Sequence, residues 1–373
     1  MIRLDQLAKT YWQKNAAIKA VNSVSLSVPK GDICVFLGPS GCGKTTTLKM
    51  INRLIQPTSG KVFINDEDTS GIDEVTLRRH IGYVIQQIGL FPNMTIEENI
   101  SIVPRMLGWD KKKMQERAKE LMSIVALDPS KYLSRYPREL SGGQQQRIGV
   151  IRALAADAPI LLMDEPFGAV DPINRESIQN EFFQMQRQLQ KTVIMVSHDI
   201  DEAIKLGDKV AVFRAGELTQ YTHPDALLAQ PKNDFVAAFV GQDRTLKRLL
   251  LVTGGDAASE ALSGSPETPA TKALEMMDEI DSKYLTITDS DNKALGYISR
   301  RQAKDSAGKT CQDILRTFNA TATPEENLRV LLSRMYEFNT SWLPVLDTEG
   351  KYKGLVTQES IADYLSSGKS KNV

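Results

Sequence analysis

The chain has 373 residues, 41% apolar and 25% charged, with 46 basic side chains against 46 acidic ones. That length predicts two or three domains, and the apolar share excludes global disorder. A balanced charge argues against a duplex-coating nucleic-acid protein. No apolar run approaches the roughly 18–20 residues a membrane-spanning helix needs. The stretch Met1–Gln13 lacks the apolar segment of a secretory signal. Cys34, Cys42 and Cys311 form no disulfide framework and read as reduced thiols, and three scattered histidines give no metal-site spacing.

Short β-rich runs alternate with helical patterns through the first 240 residues. Ile33–Leu37, Ile160–Met163, Thr192–Ser197 and Lys209–Phe213 suit strands buried on both faces of a parallel sheet. Thr45–Leu54, Lys111–Val125, Gln144–Ala155 and Arg175–Leu189 read as helices, which makes the fold class α/β. Lys111–Val125 is richly charged, lies far from any strand signal, and is expected in an all-helical insertion. Thr253–Thr271 is rich in Gly, Ser, Ala and Pro, the chemistry of a linker. An internal repeat with an offset of 58 residues follows: Tyr284–Asp289 aligns with Trp342–Asp347, Gly296–Ser299 with Gly354–Thr357, and Leu274 and Met277 with Leu332 and Met335. Each copy reads helix, strand, turn, strand, helix. Copies this small should pack on each other.

Gly38-Pro39-Ser40-Gly41-Cys42-Gly43-Lys44-Thr45 matches the phosphate-loop pattern between a strand and a helix. Its glycines let backbone N–H groups turn toward phosphate oxygens, and the helix N-terminus adds partial positive charge. Lys44 is placed to reach the terminal phosphates of ATP, and the Thr45 hydroxyl to ligate Mg²⁺. After the strand Ile160–Met163 come Asp164 and Glu165, the first suited to holding Mg²⁺ through water and the second to activating an attacking water. Strand alternation predicts that the two carboxylates face opposite ways. Ser141, Gly142, Gly143 and Gln144 put a helix-capping hydroxyl beside two bare glycines, a second phosphate-binding surface. One nucleotide has a single γ-phosphate, so two such surfaces suggest a sandwich between two copies of the chain.

Taken in order, Gly38–Thr45, Leu140–Gln144, Ile160–Glu165 and Ser197-His198-Asp199 resemble the ATPase subunits of ABC transporters. The resemblance implies an ABC-type nucleotide-binding domain over 1–240, with a helical subdomain about 88–158, in a homodimer that clasps ATP between Gly38–Thr46 of one subunit and Ser141–Gln144 of the other. It implies that Tyr11 stacks on adenine, with Trp12 as the competing candidate. It also implies that Gln86 senses Mg²⁺ and the membrane partner, that Asp171 lies in the D-loop, and that His198 meets the γ-phosphate. Permease subunits, which the chain itself lacks, are expected against Gln86–Ile100, where Leu90, Phe91 and Met94 are candidates for a partner helix. A substrate-binding protein would act only through the permease, and nucleic acid is not expected. Such a subunit sits peripherally on the cytoplasmic face of the inner membrane.

Pro39–Arg53, Ile81–Pro92 and Phe167–Pro172 are similar to the betaine/carnitine/choline subgroup, which imports osmoprotectants. A soluble ABC ATPase acting on DNA or ribosomes is the alternative. The repeat resembles tandem CBS domains, giving a linker at 241–270, an α+β module at 271–366 and a tail at 367–373. CBS pairs often hold adenosine nucleotides, but Gln302 and Ser360 stand where the family's ribose-binding Asp is expected. A cationic set including Arg244, Lys247, Arg248, Arg300, Arg301 and Lys304 offers another reading, attraction to anionic lipid that salt would screen.

Overall fold

A computed structural model describes residues 1–13, 16–85, 89–168, 170, 172–259 and 262–367. The chain divides into two compact units, Met1–Leu227 with Pro231–Phe239, and Leu228–Gln230 with Val240–Val373.

The first unit opens with the hairpin β1 (Ile2–Gln13) and β2 (Ala16–Val28), then β3 (Ile33–Leu37), α1 (Lys44–Ile51), β4 (Ser59–Ile64), β5 (Glu67–Asp68), α2 (Glu74–Arg79) and β6 (Ile81–Val84). Four helices follow with no strand between them among the described residues: α3 (Ile96–Met106), α4 (Lys111–Ile124), α5 (Pro129–Tyr132) and α6 (Gly142–Leu154). The chain then continues through β7 (Ile160–Asp164), α7 (Pro172–Leu189), β8 (Thr192–Ser197), α8 (Ile200–Leu206), β9 (Lys209–Arg214), β10 (Glu217–Thr222), α9 (Pro224–Ala229) and α10 (Asp234–Val240).

Two sheets result. One is antiparallel, in the order β2-β1-β4-β5; the other runs β10-β9-β3-β8-β7-β6. In the second, β3 pairs in parallel with both β8 and β9, and β7 with both β8 and β6. Every residue of β3, β7 and β8 is buried, as expected for strands covered on both faces. The apolar cluster includes Phe36 and Phe213, whose rings lie 5.1 Å apart, and it joins the two sheets through Val24, Leu26 and Ile194.

Helix α1 stops short of the expected Leu54. Arg53 takes a left-handed conformation, φ +48°, and its guanidinium donates to the carbonyls of Thr69 and Ile72. Helix α6 begins at Gly142, two residues before the expected Gln144.

The second unit contains α11 (Arg244–Arg248), α12 (Gly254–Ala257), β11 (Ser263–Gly264), α13 (Ala270–Glu279), β12 (Tyr284–Thr288), β13 (Ala294–Ser299), α14 (Arg300–Lys304), α15 (Leu328–Glu337), β14 (Trp342–Leu346), β15 (Tyr352–Thr357) and α16 (Gln358–Ser366). The repeat is structural: each hairpin, β12–β13 and β14–β15, has the same register. Met277 and Met335 are both buried at the equivalent core positions. Tyr284 and Trp342, also equivalent, stack on each other with centroids 4.5 Å apart, so the two copies meet through matching positions.

The segment 241–270, read from composition as linker, is built into this unit instead. Leu249, Val252 and Ala257 lie in the core of the second copy with Leu331 and Val345. The Val252 carbonyl accepts from Leu328 N at 2.9 Å, and the Ser259 N–H donates to Leu355 O at 2.9 Å. Conversely Cys311, Ile314 and Leu315, which precede the second copy, pack with the first. Each copy is thus completed by the segment that precedes the other, which local composition does not reveal.

Two further sets of residues in this unit are accounted for by its own hydrogen bonds and ion pairs. Gln302 and Ser360 are taken up in helix caps: the Gln302 carboxamide oxygen accepts from the Ser299 N–H at 3.2 Å, and Ser360 Oγ from Thr357 N at 3.0 Å. Among the cations, Arg248 is buried and donates to Leu365 O at 2.9 Å, while Arg300 reaches Met277 O and the carboxylates of Asp278 and Asp281. Those two side chains are spent inside the fold, not spread on a free basic face.

Candidate active site

Adjacency in the parallel sheet decides what meets. Because β3 lies beside β8 and β8 beside β7, the segments leaving their C-terminal ends share one edge: the loop 38–43, His198, and Asp164 with Glu165. Ligands of open α/β sheets bind at this edge.

The phosphate loop needs its glycines for two reasons. Gly38 and Gly43 have φ of +148° and +101°, and a Cβ at these positions would lie 2.3 Å from Phe213 O and 2.4 Å from Ala20 O. The loop is therefore pressed against backbone on two sides, which only glycine permits. Lys44 is 6% exposed, and its ammonium donates to Gly38 O at 2.6 Å and Pro39 O at 2.9 Å, closing the ring of the loop. Cys42 is buried with Sγ 3.7 Å from that ammonium. Pro39, Ser40 and Gly41 line the outer rim and are all exposed, and Thr46 is half-buried in the first turn of α1.

Thr45 Oγ1 donates to Asp164 Oδ1 at 2.8 Å, so the two expected Mg²⁺ ligands converge. Burial raises the Asp164 carboxyl above the ordinary carboxylate range, and the Thr45 hydrogen bond works against that rise. Tyr83, on β6, has its phenol pushed up to about 12 by burial and by the Asp164 charge. Two oxygen donors with a buried charge match the preference of Mg²⁺ for hard ligands.

Asp164 ends β7. Glu165 does not continue the strand but turns left-handed, φ +46°, with its N–H held by Val196 O at 3.1 Å. The divergence of the two carboxylates thus comes from this turn, not from strand alternation. A non-glycine residue held in this region carries strain of order 1–3 kcal/mol. Glu165 Oε1 lies 3.5 Å from His198 Nδ1. His198 is positioned by its neighbours: Ser197 Oγ donates to Glu202 at 2.6 Å, and Asp199 caps α8 through Asp201 N at 2.8 Å.

The glycine turn before α6 is of another kind. Ser141 is the N-cap, its Oγ accepting from Gln144 N at 3.3 Å while the Gln144 carboxamide oxygen accepts from Ser141 N at 3.0 Å. The Gln144 side chain, expected among the nucleotide contacts, is engaged in closing this cap. A Cβ at Gly142 would meet nothing within 4 Å. The N–H groups of Gly142 and Gly143 begin the helix and have no intrahelical acceptor. A cavity of about 560 Å³ opens in front of them.

Tyr11 and Trp12 are both exposed and, as neighbours on β1, face opposite sides of the hairpin. Gln86 and Asp171 lie outside the described residues. In the expected permease-facing segment Phe91 is half-exposed. The side chain of Asn99, fully buried on α3, accepts from the Phe91 N–H at 2.8 Å and donates to the Phe91 carbonyl at 3.1 Å and to the carbonyls of Met94 and Thr95. Asn99, Tyr132 and Gln146, which donates to Pro166 O beside Glu165, are absent from the sequence reading. Only Asn99 carries a signal, a polar residue between Ile96 and Ile100 on an apolar helix face.

Comparison with known proteins agrees with this geometry. The ABC transporter family model matches residues 21–168 and the CBS domain model residues 311–367. The chain belongs to the ATP-binding proteins of ABC transporters. It is 62% identical over 374 residues to the osmoprotectant import ATP-binding protein OsmV of Salmonella typhimurium, spanning 100% of this chain and 98% of that one. It is 44% identical to the glycine betaine/carnitine/choline transport ATP-binding protein OpuCA of Bacillus subtilis, covering 97% of this chain and 96% of that one. Among solved structures, the dimeric post-hydrolysis state of the ATP-binding cassette MJ0796 bound to ADP and Pi matches with a TM-score of 0.54 and 34% identity, covering 60% of this chain and 99% of that one.

Proposed function

We propose that this chain is the ATP-hydrolysing subunit of an importer for osmoprotectants of the betaine, carnitine and choline class. It works as a pair on the cytoplasmic face of the inner membrane, against separate permease subunits that contact residues 86–100. Among the described residues no helix is long and apolar enough to cross a membrane. The observation that carries the reading is the shared edge of the sheet, where Thr45 bonds to Asp164 and Glu165 stands 3.5 Å from His198, beside a lysine-closed glycine loop.

The residues divide the work. Backbone N–H groups of 38–46 and the Lys44 ammonium receive the ATP phosphates, which take over the lysine from the Gly38 and Pro39 carbonyls. Thr45 and Asp164, with Gln86, would hold Mg²⁺, which would offset charge on the transferring phosphoryl group. Glu165 accepts the proton of the attacking water, and His198 meets the γ-phosphate and stabilises the charge developing on it. Tyr11 stacks on adenine. Asp171 approaches from the D-loop of the partner subunit. Ser141, Gly142 and Gly143 of one subunit complete the pocket of the other, so closure requires the γ-phosphate.

Glu165→Gln tests the assignment in the assembled importer. ATP binding should persist while hydrolysis and osmoprotectant uptake fall, by about 10²–10⁴-fold for loss of a general base. Near-normal phosphate release from that variant would remove Glu165 from the role.

A further inference from the structure

Residues 128–135 lie between two parts of the machinery. On one side, Ile96 N donates to Arg135 O and Glu97 N to Leu133 O, both at 2.9 Å, so this segment caps the first turn of α3. Its own start is fixed by Asp128, which accepts from the Ser130 N–H at 2.9 Å and the Ser130 hydroxyl at 2.7 Å. On the other side, the Tyr132 hydroxyl accepts from Gln144 Nε2 at 3.2 Å. The Arg135 guanidinium lies 5.0 Å from the centroid of the tyrosine ring.

That hydroxyl and the Ser141 N–H together fix which way the Gln144 carboxamide points. The carboxamide oxygen is engaged with Ser141 N and its nitrogen with Tyr132, so both ends of the amide are occupied. With the amide so held, Ser141 Oγ needs to accept only the Gln144 N–H and keeps its proton for a group outside, next to the open N–H groups of Gly142 and Gly143. Without the phenolic acceptor, the carboxamide is free to swing outward and compete for Ser141 or for an incoming phosphate.

We infer that Tyr132 is a positioning residue for the trans half of the ATP site: through Gln144 it sets the Ser141–Gly143 turn for the partner's γ-phosphate. The inference rests on the sandwich reading above. Tyr132 and Gln144 both line the cavity in front of Gly142 and Gly143, and the influence assigned to the tyrosine passes through its hydrogen bond to Gln144.

The test uses the full chain in its importer complex, with ATP and ADP as probes. ADP lacks the group the turn receives and reports the phosphate loop alone. Tyr132→Phe should raise the KM for ATP about fivefold, the weight of one neutral hydrogen bond, with the ADP Kd unchanged. Lys44→Ala, by contrast, should weaken both. In a Gln144→Ala background Tyr132→Phe should add nothing further, because the two act as one unit. An unchanged KM in Tyr132→Phe, a parallel loss of ADP affinity, or additive effects of the two substitutions would each overturn the inference. Hydrolysis at the full wild-type rate by a single unpaired copy of the chain would instead defeat the sandwich reading itself.

Discussion

The two glycine-rich turns of the first unit precede helices in the same way, yet their glycines serve different ends. In the loop before α1, Gly38 and Gly43 sit at positive φ with neighbouring carbonyls occupying the space of a side chain. In the turn before α6, nothing within 4 Å opposes a side chain at Gly142, and a Cβ at Gly143 would meet only the tip of Ile178 at 3.2 Å. The first turn is required by the fold that surrounds it; the second is bare on a surface that the folded chain does not need to be bare. A self-contained half site and an open half site in one chain are what a pocket shared between two copies requires.

Substitutions can break or sharpen this contrast. The largest effect is expected for Gly43→Ala, which forces a methyl to 2.4 Å from Ala20 O in a conformation L-residues avoid. It should cost roughly 2–4 kcal/mol and abolish ATP binding, read from thermal unfolding and nucleotide titration. Gly142→Ala should leave the melting temperature unchanged or slightly raised, since Ala is the better helix former by about 1 kcal/mol in a helix interior. Hydrolysis should nevertheless fall by about tenfold, as the methyl hinders an approaching phosphate from reaching charge-assisted contact with the helix end. Full activity of Gly142→Ala would mean that the open turn receives nothing.

The smallest effect belongs to the second unit and serves as a control outside the unit that carries both turns. The Arg334 guanidinium, 2.5 Å from Glu326, holds the Glu326 carboxyl below the usual range. A carboxyl lowered by folding adds stability above its unfolded pKa, and that stability is lost as pH falls through the folded value. Glu326→Gln should therefore lower stability by about 1 kcal/mol at neutral pH, with the difference from wild type vanishing in acid below the ordinary glutamate range. ATP hydrolysis per folded molecule should be unaffected, and a loss equal to that of Gly142→Ala would show that activity tracks general stability instead of the open turn.

The amino-acid sequence by itself determined the phosphate loop, the buried parallel strands and the repeat of the second unit. Each rests on a local signal: glycines between a strand and a helix, unbroken apolar runs of strand length, and matching side chains at a fixed offset. It also placed Asp164, Glu165, His198 and Ser141 in order, though not in contact. Tertiary structure alone decided the rest. That Thr45 meets Asp164 and Glu165 meets His198 follows from strand order, which no single segment specifies. The left-handed turn at Glu165, the Tyr132 hydroxyl on Gln144, and the exchange of 249–258 and 311–315 between the two copies have the same cause. Each depends on a partner outside its own segment, which local composition does not specify.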